Sequence, residues 1–290
     1  MKKIAILGCE NSHANAFLKY VRDKKDFADV EVVGIYSDES EPCLKLSEEF
    51  GVSIMKSFDE AVGKIDGLVV TARHGDNHYK YAKPYIESGI PMFIDKPITI
   101  SETDAVEFMK ELKSNNVPVT GGSCCVYDSL VQHLKSAIEC GRYGKAYGGF
   151  LRAPLGANEK YGGFFFYSQH LVQVMCEIFG YYPESVKMYE KNEVLTYVAR
   201  YKDYDIIGEF IDGNFTYYVN VSLEKDIIGD TYLVDASCFA VEFEEFYKLL
   251  KGEKQRQTYK EFIAPIFILN AMKRSMESGN EETVNKIEEI

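Results

Sequence analysis

The sequence predicts an α/β protein of two domains, and two patterns lead to that prediction. Residues 1–123 alternate short apolar runs with helical patterns, the order expected of βαβ units in a parallel sheet. Beyond residue 123, strand-like runs follow one another, which is typical of antiparallel pairing. We therefore predict a parallel-sheet domain over residues 1–123 and an α+β domain, built on a mostly antiparallel sheet, over residues 124–290.

The strands of the first domain are predicted from short apolar runs at 4–7, 30–36, 67–71, 92–94 and 117–120. Helical patterns fill the intervals at 14–21, 41–50, 76–88 and 101–112. Gly51 and Gly89 fit the positions just after two of these helices, and Pro84 predicts a kink or a late start in one of them. Ser57 and Glu60 have the spacing of a capping box, which predicts a further short helix.

The second domain begins with a helix over 127–140, a strand over 145–153 and a helix after Gly162 that runs to about residue 178. Strands are then predicted at 185–189, 194–201, 205–211 and 216–223, followed by helices near 239–250 and 259–276. The last strand places four apolar residues on one face, which predicts that one face of the sheet is covered: Tyr217, Val219, Val221 and Leu223.

Composition excludes several classes of protein. The formal net charge of −12 argues against a nucleic-acid surface. No run approaches the roughly 18 apolar residues of a membrane span, and the run 4–7 is interpreted as a strand and not as part of a signal peptide. The seven cysteines are irregularly spaced and include the adjacent Cys124 and Cys125, so we expect reduced thiols and a cytoplasmic protein.

Ligands of parallel sheets bind at the carboxyl ends of the strands, so the turn after the first strand is a candidate site. Dinucleotide-binding turns carry G-x-G-x-x-G there, but only Gly8 matches, with Glu10 and His13 at the other glycine positions. Asn11 and Ser12 are able to donate hydrogen bonds to a phosphate. The alternative is a plain strand-to-helix turn with Ser12 near the N-cap.

Polar residues also follow the next two strands. Ser37 and Asp38 end the second strand, where an acidic residue typically binds the adenosine ribose. Because no Arg or Lys stands near Asp38 in the sequence, NAD is favoured over NADP. Thr71 closes the third strand and is included among the predicted cofactor-binding residues.

Two further residues are candidates for catalysis. Lys96 lies in Asp95-Lys96-Pro97 at the end of a buried strand, where an ammonium can polarise a hydroxyl or a carbonyl. His170 lies early on a helix of the second domain, and imidazole shuttles protons near neutral pH. An ordinary surface turn and a buried structural histidine are the respective alternatives.

No metal site is expected. His74 and His78 have the spacing that brings two side chains to one helix face, with Asp76 nearby. His74 is predicted to precede the helix, however, and no third ligand is apparent.

Together these residues resemble the Gfo/Idh/MocA family of oxidoreductases. The resemblance covers nearly the whole chain, and it is most specific around Lys96, where the family usually has Glu-Lys-Pro. It depends on the Gly8 turn, Asn77-His78, the run 87–97, the turn 141–145, Gly162-Gly163 with His170 and Gly180, and the segment 271–279.

The resemblance implies a Rossmann-type first domain and an open-faced sheet domain that forms homodimers or homotetramers. It implies oxidation of a carbohydrate or polyol hydroxyl with NAD, or less readily NADP. Lys96 would position the reacting hydroxyl and His170 would accept its proton. Asn77 and His78 would lie near the nicotinamide or support that loop, and Asp95 would belong to the same cofactor region.

The sequence departs from the family pattern at functional positions. Phe166 and Gln173 stand four residues before and three residues after His170, where the family usually has Asp. Tyr167 or Tyr161 would then take a polar role, and Tyr167 is counted among the catalytic candidates. Three functions therefore remain open: an oxidoreductase, a non-catalytic dinucleotide- or sugar-binding regulatory protein, and an enzyme of another class such as a lyase or hydrolase.

Overall fold

The structure is a computed structural model that describes residues 1–287, 289 and 290. The chain forms two compact units. The first comprises residues 1–122 and 235–262 with residue 290, and the second comprises residues 123–234 and 263–289. Residues 235–262, which the sequence analysis placed in the second domain, pack with the first unit.

The first unit contains a parallel sheet in the strand order β2-β1-β3-β4-β5. The carboxyl ends of these strands lie at one edge, as predicted for a Rossmann-type domain. Its strands are β1 (Lys2–Leu7), β2 (Val30–Tyr36), β3 (Gly67–Val70), β4 (Met92–Asp95) and β5 (Val119–Gly122).

The helices of the first unit begin and end close to the predicted positions. They are α1 (Ser12–Asp23), α2 (Ser40–Phe50), α3 (Asp76–Ala82), α4 (Glu102–Ser114) and α7 (Ala236–Leu250). Gly51 ends α2 in the left-handed region, and the chain tightens into a 3₁₀ helix around Pro84 after α3, as expected. The helix predicted from Ser57 is wrong, because the Glu60 carboxylate accepts from the Lys56 amide instead and the segment forms turns.

Helix α7 joins the first unit because it completes an aromatic core. Phe17 of α1 packs edge-on against Phe93 of β4, with ring centroids 5.0 Å apart. Phe243 of α7 lies 4.9 Å from both Phe17 and Phe27, and all four rings are buried. Full burial of one such side chain stabilises a fold by roughly 1.5–3 kcal/mol.

The second unit contains a mixed sheet in the order β11-β10-β6-β9-β8-β7-β12. Only the β6–β9 pair is parallel among the described pairs, so the sheet is mostly antiparallel, as predicted. The strands are β6 (Ala146–Pro154), β7 (Ser185–Lys191), β8 (Val194–Arg200), β9 (Asp205–Ile211), β10 (Tyr217–Leu223), β11 (Ile227–Tyr232) and β12 (Glu282–Thr283).

One face of this sheet is covered. The alternating residues of β10 are all buried, which confirms the predicted face. Helix α6 (Phe165–Phe179) packs on β6 and on α5 (Ser129–Glu139) and is buried along almost its whole length. The remaining helix is α8 (Tyr259–Ser278). In the part of the chain that the structure describes, no helix is long and apolar enough to cross a membrane.

Candidate functional site

The turn after β1 requires glycine. Gly8 has φ +102°, and a Cβ atom there would lie 2.1 Å from the backbone nitrogen of Ala72. The turn therefore passes directly over the segment after β3. A side chain would collide with backbone, whose position is fixed by the sheet.

Asn11 caps α1. Its Oδ1 accepts from the His13 amide at 3.3 Å, and its Nδ2 donates to Asp95 Oδ2 at 2.6 Å. The cap is therefore Asn11 and not Ser12, which starts the helix and is exposed. Because the Asn11 side chain is buried and committed to Asp95, the exposed Ser12 is the better placed of the two to meet a ligand.

His13 lies behind the turn between two buried carboxylates. Its Nδ1 is 3.3 Å from Asp95 Oδ2 and its Nε2 is 3.0 Å from Glu242 Oε2. Burial is the largest influence on the pKa of His13 and works to lower it. The charges of Asp95 and Glu242 outweigh burial, so the pKa is raised. His13 therefore links α1, β4 and α7 through two buried carboxylates.

Glu10 connects the ends of two strands. Its Oε2 accepts from the Ser37 hydroxyl at 2.5 Å, and its Oε1 accepts from the Arg73 amide at 3.1 Å. The carboxylate thus stands at the sheet edge, at the second glycine position of the dinucleotide pattern. Carboxylate oxygens suit ribose hydroxyls and not phosphate oxygens.

Asp38 follows β2 and does have a cation beside it. Lys80 Nζ donates to Asp38 Oδ2 at 3.2 Å, and the Tyr36 hydroxyl donates to Oδ1 at 2.7 Å. No Lys stands near Asp38 in the sequence, but the fold brings Lys80 of α3 beside it across 42 residues. Burial opposes the charge on Asp38, but hydrogen bonds from Tyr36, Tyr81 and Lys80 prevail and lower the pKa of its carboxyl.

Thr71 and His78 hold backbone in place. The fully buried Thr71 hydroxyl donates to the Gly8 carbonyl at 2.9 Å. The ring nitrogens of His78 lie 2.7 Å from the Ala72 carbonyl and 3.3 Å from the Ile98 carbonyl, and burial lowers the pKa of this imidazole. His78 is thus positioned to support the loop, and its neighbour Asn77 is partly exposed.

Lys96 follows β4 directly. Its side chain is 5% exposed, and it precedes a cis peptide bond to Pro97. Asp95 is fully buried and accepts from the Lys96 amide at 2.7 Å as well as from Asn11. The Asp95 carboxylate therefore connects Asn11, the cap of α1, with the Lys96 backbone, and both of these contacts are with protein groups.

His170 lies on the first turns of α6 and is 5% exposed. Its Nδ1 is 2.6 Å from the Ser123 hydroxyl and 3.4 Å from the sulfur of Cys125. The Tyr167 ring meets the imidazole edge-on, with centroids 4.9 Å apart. The structure thus brings His170 and Tyr167 together and adds Ser123 and Cys125, which sequence reasoning missed.

The two positions without carboxylates have other partners. Gln173 Oε1 accepts from the Ser123 amide at 2.8 Å and from Gln169 Nε2 at 3.0 Å. Phe166 packs on Tyr161 and on Tyr167, with centroids 5.2 and 5.5 Å apart. The glutamine therefore fixes the loop that carries Ser123, and the phenylalanine joins an aromatic group.

Two histidine groups bear on metal binding. His74 Nδ1 lies 3.9 Å from an Asp76 oxygen, but His78 turns into the protein, so the spacing predicted from sequence does not bring the two imidazoles to one site. In the second unit, Cys124, Cys125 and His170 place one ligand atom each within 4.8 Å of one another, and all three are buried.

Residues 2–123 match the family model described as the Gfo/Idh/MocA oxidoreductase family with an NAD-binding Rossmann fold. This part of the chain is therefore similar to the Gfo/Idh/MocA oxidoreductases. The chain is 30% identical over 142 residues to the "Uncharacterized oxidoreductase YhhX" of Escherichia coli K12, a match that covers 49% of this chain and 41% of that relative.

Solved structures of similar fold cover nearly the whole chain. A myo-inositol dehydrogenase from Corynebacterium glutamicum superposes with a TM-score of 0.83 at 16% identity, over 99% of each chain. The WlbA dehydrogenase from Bordetella pertussis, in complex with NADH and UDP-GlcNAcA, superposes with a TM-score of 0.82 at 16% identity, over 98% of this chain and 99% of that one. At these identities the likeness shows the fold.

The donors and acceptors of the first unit fit a dinucleotide. A pyrophosphate needs amide and hydroxyl donors, and α1 presents its N-terminal amides beside the exposed Ser12. Ribose hydroxyls need acceptors, which Glu10 and Asp38 supply at the ends of β1 and β2. Five other predicted cofactor residues make buried contacts within the protein: Asn11, His13, Thr71, His78 and Asp95.

Proposed function

We propose that the protein is an NAD-dependent oxidoreductase that acts on a hydroxyl of a sugar- or polyol-like substrate. The observation that supports this best is the placement of Lys96. Its buried side chain follows the last residue of β4, and Asp95 bonds both to the Lys96 amide and to Asn11, the cap of α1. A cation held at this edge is suited to act on a reacting oxygen.

The cofactor would be held by the Gly8 turn, the N-terminus of α1 with Ser12, and the carboxylates of Glu10 and Asp38. Bound there, the nicotinamide supplies hydride acceptance at C4. Asp38 favours NAD because its charge opposes the 2′-phosphate of NADP, although Lys80 beside it weakens that discrimination.

Lys96 would donate a hydrogen bond to the reacting hydroxyl oxygen. Its positive charge stabilises the negative charge that develops on that oxygen as the proton leaves. Because the side chain is 95% buried, little water screens this interaction.

His170 would accept the hydroxyl proton at Nε2, because Nδ1 faces Ser123 and Cys125. Tyr167 packs on the imidazole and would contribute a hydroxyl to substrate binding. Two structures of similar fold, a myo-inositol dehydrogenase and WlbA in complex with UDP-GlcNAcA, support a carbohydrate or polyol substrate for this chain.

We further expect a homodimer or homotetramer through the sheet of the second unit, in the cytoplasm, where the thiols stay reduced. The sheet has exposed large apolar side chains, among them Tyr189 at 52%, Ile207 at 44% and Ile227 at 70% exposure. A monomeric mass by light scattering at micromolar concentration would contradict this expectation.

A second candidate function is a non-catalytic sugar- or dinucleotide-binding protein. Two observations favour it: Phe166 sits in an aromatic group and Gln173 is committed to Ser123 and Gln169. Neither side chain supplies the carboxylate that the family usually has near its histidine.

Calorimetric titration with NAD⁺, NADH and NADPH, followed by a screen of polyols and sugars for NADH formation, separates the two functions. Micromolar NAD binding and turnover with a polyol are expected. Binding of NAD without turnover on any polyol or sugar would favour the non-catalytic function, and no dinucleotide binding would overturn the proposal.

A further inference from the structure

We propose that Cys124, Cys125 and His170 form a binding site for a thiophilic metal ion, zinc(II), in the second unit. The two sulfur atoms and one imidazole nitrogen lie within 4.8 Å of one another. All three residues belong to the second unit, so the site depends on the fold of that unit alone. Metal binding does not depend on the proposed function, whereas its effect on turnover does.

The distance between Cys125 and His170 fits two ligands of one ion. In tetrahedral sites zinc binds cysteine sulfur at about 2.3 Å and histidine nitrogen at about 2.0–2.1 Å, which separates the sulfur from the nitrogen by roughly 3.5 Å. Cys125 Sγ lies 3.4 Å from His170 Nδ1. An ion can therefore bind both atoms with little change in their separation.

The chemistry of the ligand atoms favours zinc. Thiolate sulfur and imidazole nitrogen suit zinc, whereas magnesium and calcium take oxygen ligands. Binding releases one proton from each thiol, so two thiolates neutralise the two charges of the ion. A neutral group of this kind can be buried, and Cys124, Cys125 and His170 are 1%, 0% and 5% exposed.

Neighbouring residues hold the ligands in place. A short 3₁₀ helix, Cys124–Tyr127, carries both cysteines, and the Ser123 hydroxyl caps it by accepting from the Cys125 amide at 3.2 Å. One turn after His170 on α6, Gln173 Oε1 accepts from the Ser123 amide at 2.8 Å. The buried Nε2 of Gln173 has no hydrogen-bond partner among the described residues. It is therefore a donor suited to a thiolate ligand, because metal ligands are commonly hydrogen-bonded by such outer groups.

The Ser123 hydroxyl competes with the metal for His170. Its oxygen lies 2.6 Å from Nδ1, which is a hydrogen-bond distance and too short for two ligands of one tetrahedral ion. The hydroxyl must turn away from the ring when the metal binds, and its oxygen can then supply the fourth ligand. Metal binding and the Ser123–His170 hydrogen bond therefore exclude each other.

A bound metal would prevent His170 from acting as a base. A neutral imidazole carries one proton, so a metal on Nδ1 leaves that proton on Nε2. Nε2 is the nitrogen that would accept the proton of the substrate hydroxyl under the proposed function. The zinc-loaded protein should therefore bind NAD without oxidising substrate, and zinc would regulate the enzyme at this site.

The site can be tested on the unmodified, reduced protein without any substrate. Cobalt(II), a spectroscopic substitute for zinc, should bind at one equivalent and produce a thiolate-to-cobalt charge-transfer band. Zinc should abolish the band and magnesium should not. Because the ligands are buried, the zinc content of protein expressed in zinc-supplemented medium is measured in parallel. Neither a charge-transfer band nor stoichiometric zinc would overturn the site.

Matched variants identify the ligands. Cys124→Ser and Cys125→Ser should each weaken zinc binding by about 100-fold or more, because even the loss of an outer group costs about 10- to 100-fold. Cys176→Ser removes a buried thiol of α6 outside this group and should bind zinc like the unmodified protein. Unchanged affinity in Cys125→Ser, or an equal loss in Cys176→Ser, would show that the ion binds elsewhere.

Turnover measurements separate failure of the site from failure of the proposed function. With a substrate from the screen, one equivalent of zinc should lower kcat by about 100-fold, the lower end of what general base catalysis contributes, and a chelator should restore it. Zinc that binds without lowering kcat would overturn the regulatory effect. If zinc binds through these ligands but the metal-free protein oxidises no polyol or sugar, the metal site is confirmed and the oxidoreductase function fails.

Discussion

His13 Nε2 lies 3.0 Å from Glu242 Oε2, although 229 positions separate the two residues in the sequence, and both side chains are buried. On its other side the imidazole meets Asp95, the residue before Lys96. One buried imidazole therefore connects the helix after β1, the strand that ends just before the lysine, and α7. This relationship explains why a histidine replaces a glycine of the dinucleotide pattern.

The pH dependence of stability should report this ion pair. The pKa of His13 is raised in the folded state, so its contribution to the free energy of unfolding is complete below about pH 6.5 and is lost as the pH rises through the raised value. Glu242→Gln should lower stability at pH 6 by about 3–5 kcal/mol. It should also flatten the decline towards alkaline pH.

Urea denaturation at several pH values measures both effects, with the exposed Glu244→Gln on the same helix as the control. Equal curves for the two variants would show that His13 is neutral in the folded protein.

Gly8→Ala should disrupt the turn after β1. The new Cβ would lie 2.1 Å from backbone, at a φ of +102° that L-residues rarely adopt, so we expect loss of NAD binding and a lower melting temperature. Gly51→Ala is the matched control: its φ is +70° but no atom lies within 4 Å of the added carbon, so only about 1 kcal/mol is expected. Calorimetry and thermal melting measure both, and NAD binding retained by Gly8→Ala would show that the turn is not part of the cofactor site.

Lys96→Gln should lower kcat by about 10²-fold or more, because it removes the charge while keeping hydrogen-bonding capacity. NAD affinity should change little. Lys45→Gln, on the exposed surface of α2, serves as the control for a lost positive charge. Steady-state kinetics with the substrate found in the screen provide the measurement, and an unchanged kcat would remove Lys96 from the mechanism.

Asp38→Ser should shift cofactor preference from NAD towards NADP by about tenfold or more. In the native protein Lys80 Nζ lies 3.2 Å from the Asp38 carboxylate. The substitution removes that carboxylate and leaves the lysine available to a 2′-phosphate. The double variant Asp38→Ser/Lys80→Met should lose the gain in NADP affinity. If the double variant still prefers NADP, Lys80 is not the phosphate-binding group. Stability should change little, since exposed ion pairs contribute roughly 0–1 kcal/mol.

Periodicity and capping signals were sufficient for most of the fold. The alternation along β10 predicted one buried face, and the continuous apolar run of β1 predicted two, because the order of apolar residues in a strand determines which of its sides are buried. Strand β11 was missed because Gly229 and Asp230 interrupt its pattern, and it is a strand only through pairing with β10. The helix predicted at Ser57 does not form, because the Ser57 hydroxyl donates to Asp59 and the Glu60 carboxylate accepts from the Lys56 amide.

The site could be predicted less completely. Lys96 and His170 stood out by residue type and by their position on strand and helix. Ser123 and Cys125 did not, because their contacts with His170 span 47 and 45 residues and nothing local marks them. Glu242 and Lys80 were missed for the same reason, because only the fold brings Glu242 to His13 and Lys80 to Asp38.

Helix α7 follows the second unit in the sequence but packs with the first unit, so a fragment that contains the parallel sheet alone is incomplete. A fragment ending at residue 122 would hold every strand of the parallel sheet. It would nevertheless lack Phe243, Phe246 and Leu250, so Phe17 and Phe27 would lose their contact with Phe243 and this part of the core would be open to water. It would also leave the His13 imidazole without one of its two carboxylates. An autonomous cofactor domain would need residues 235–262 supplied in trans or joined by a short linker.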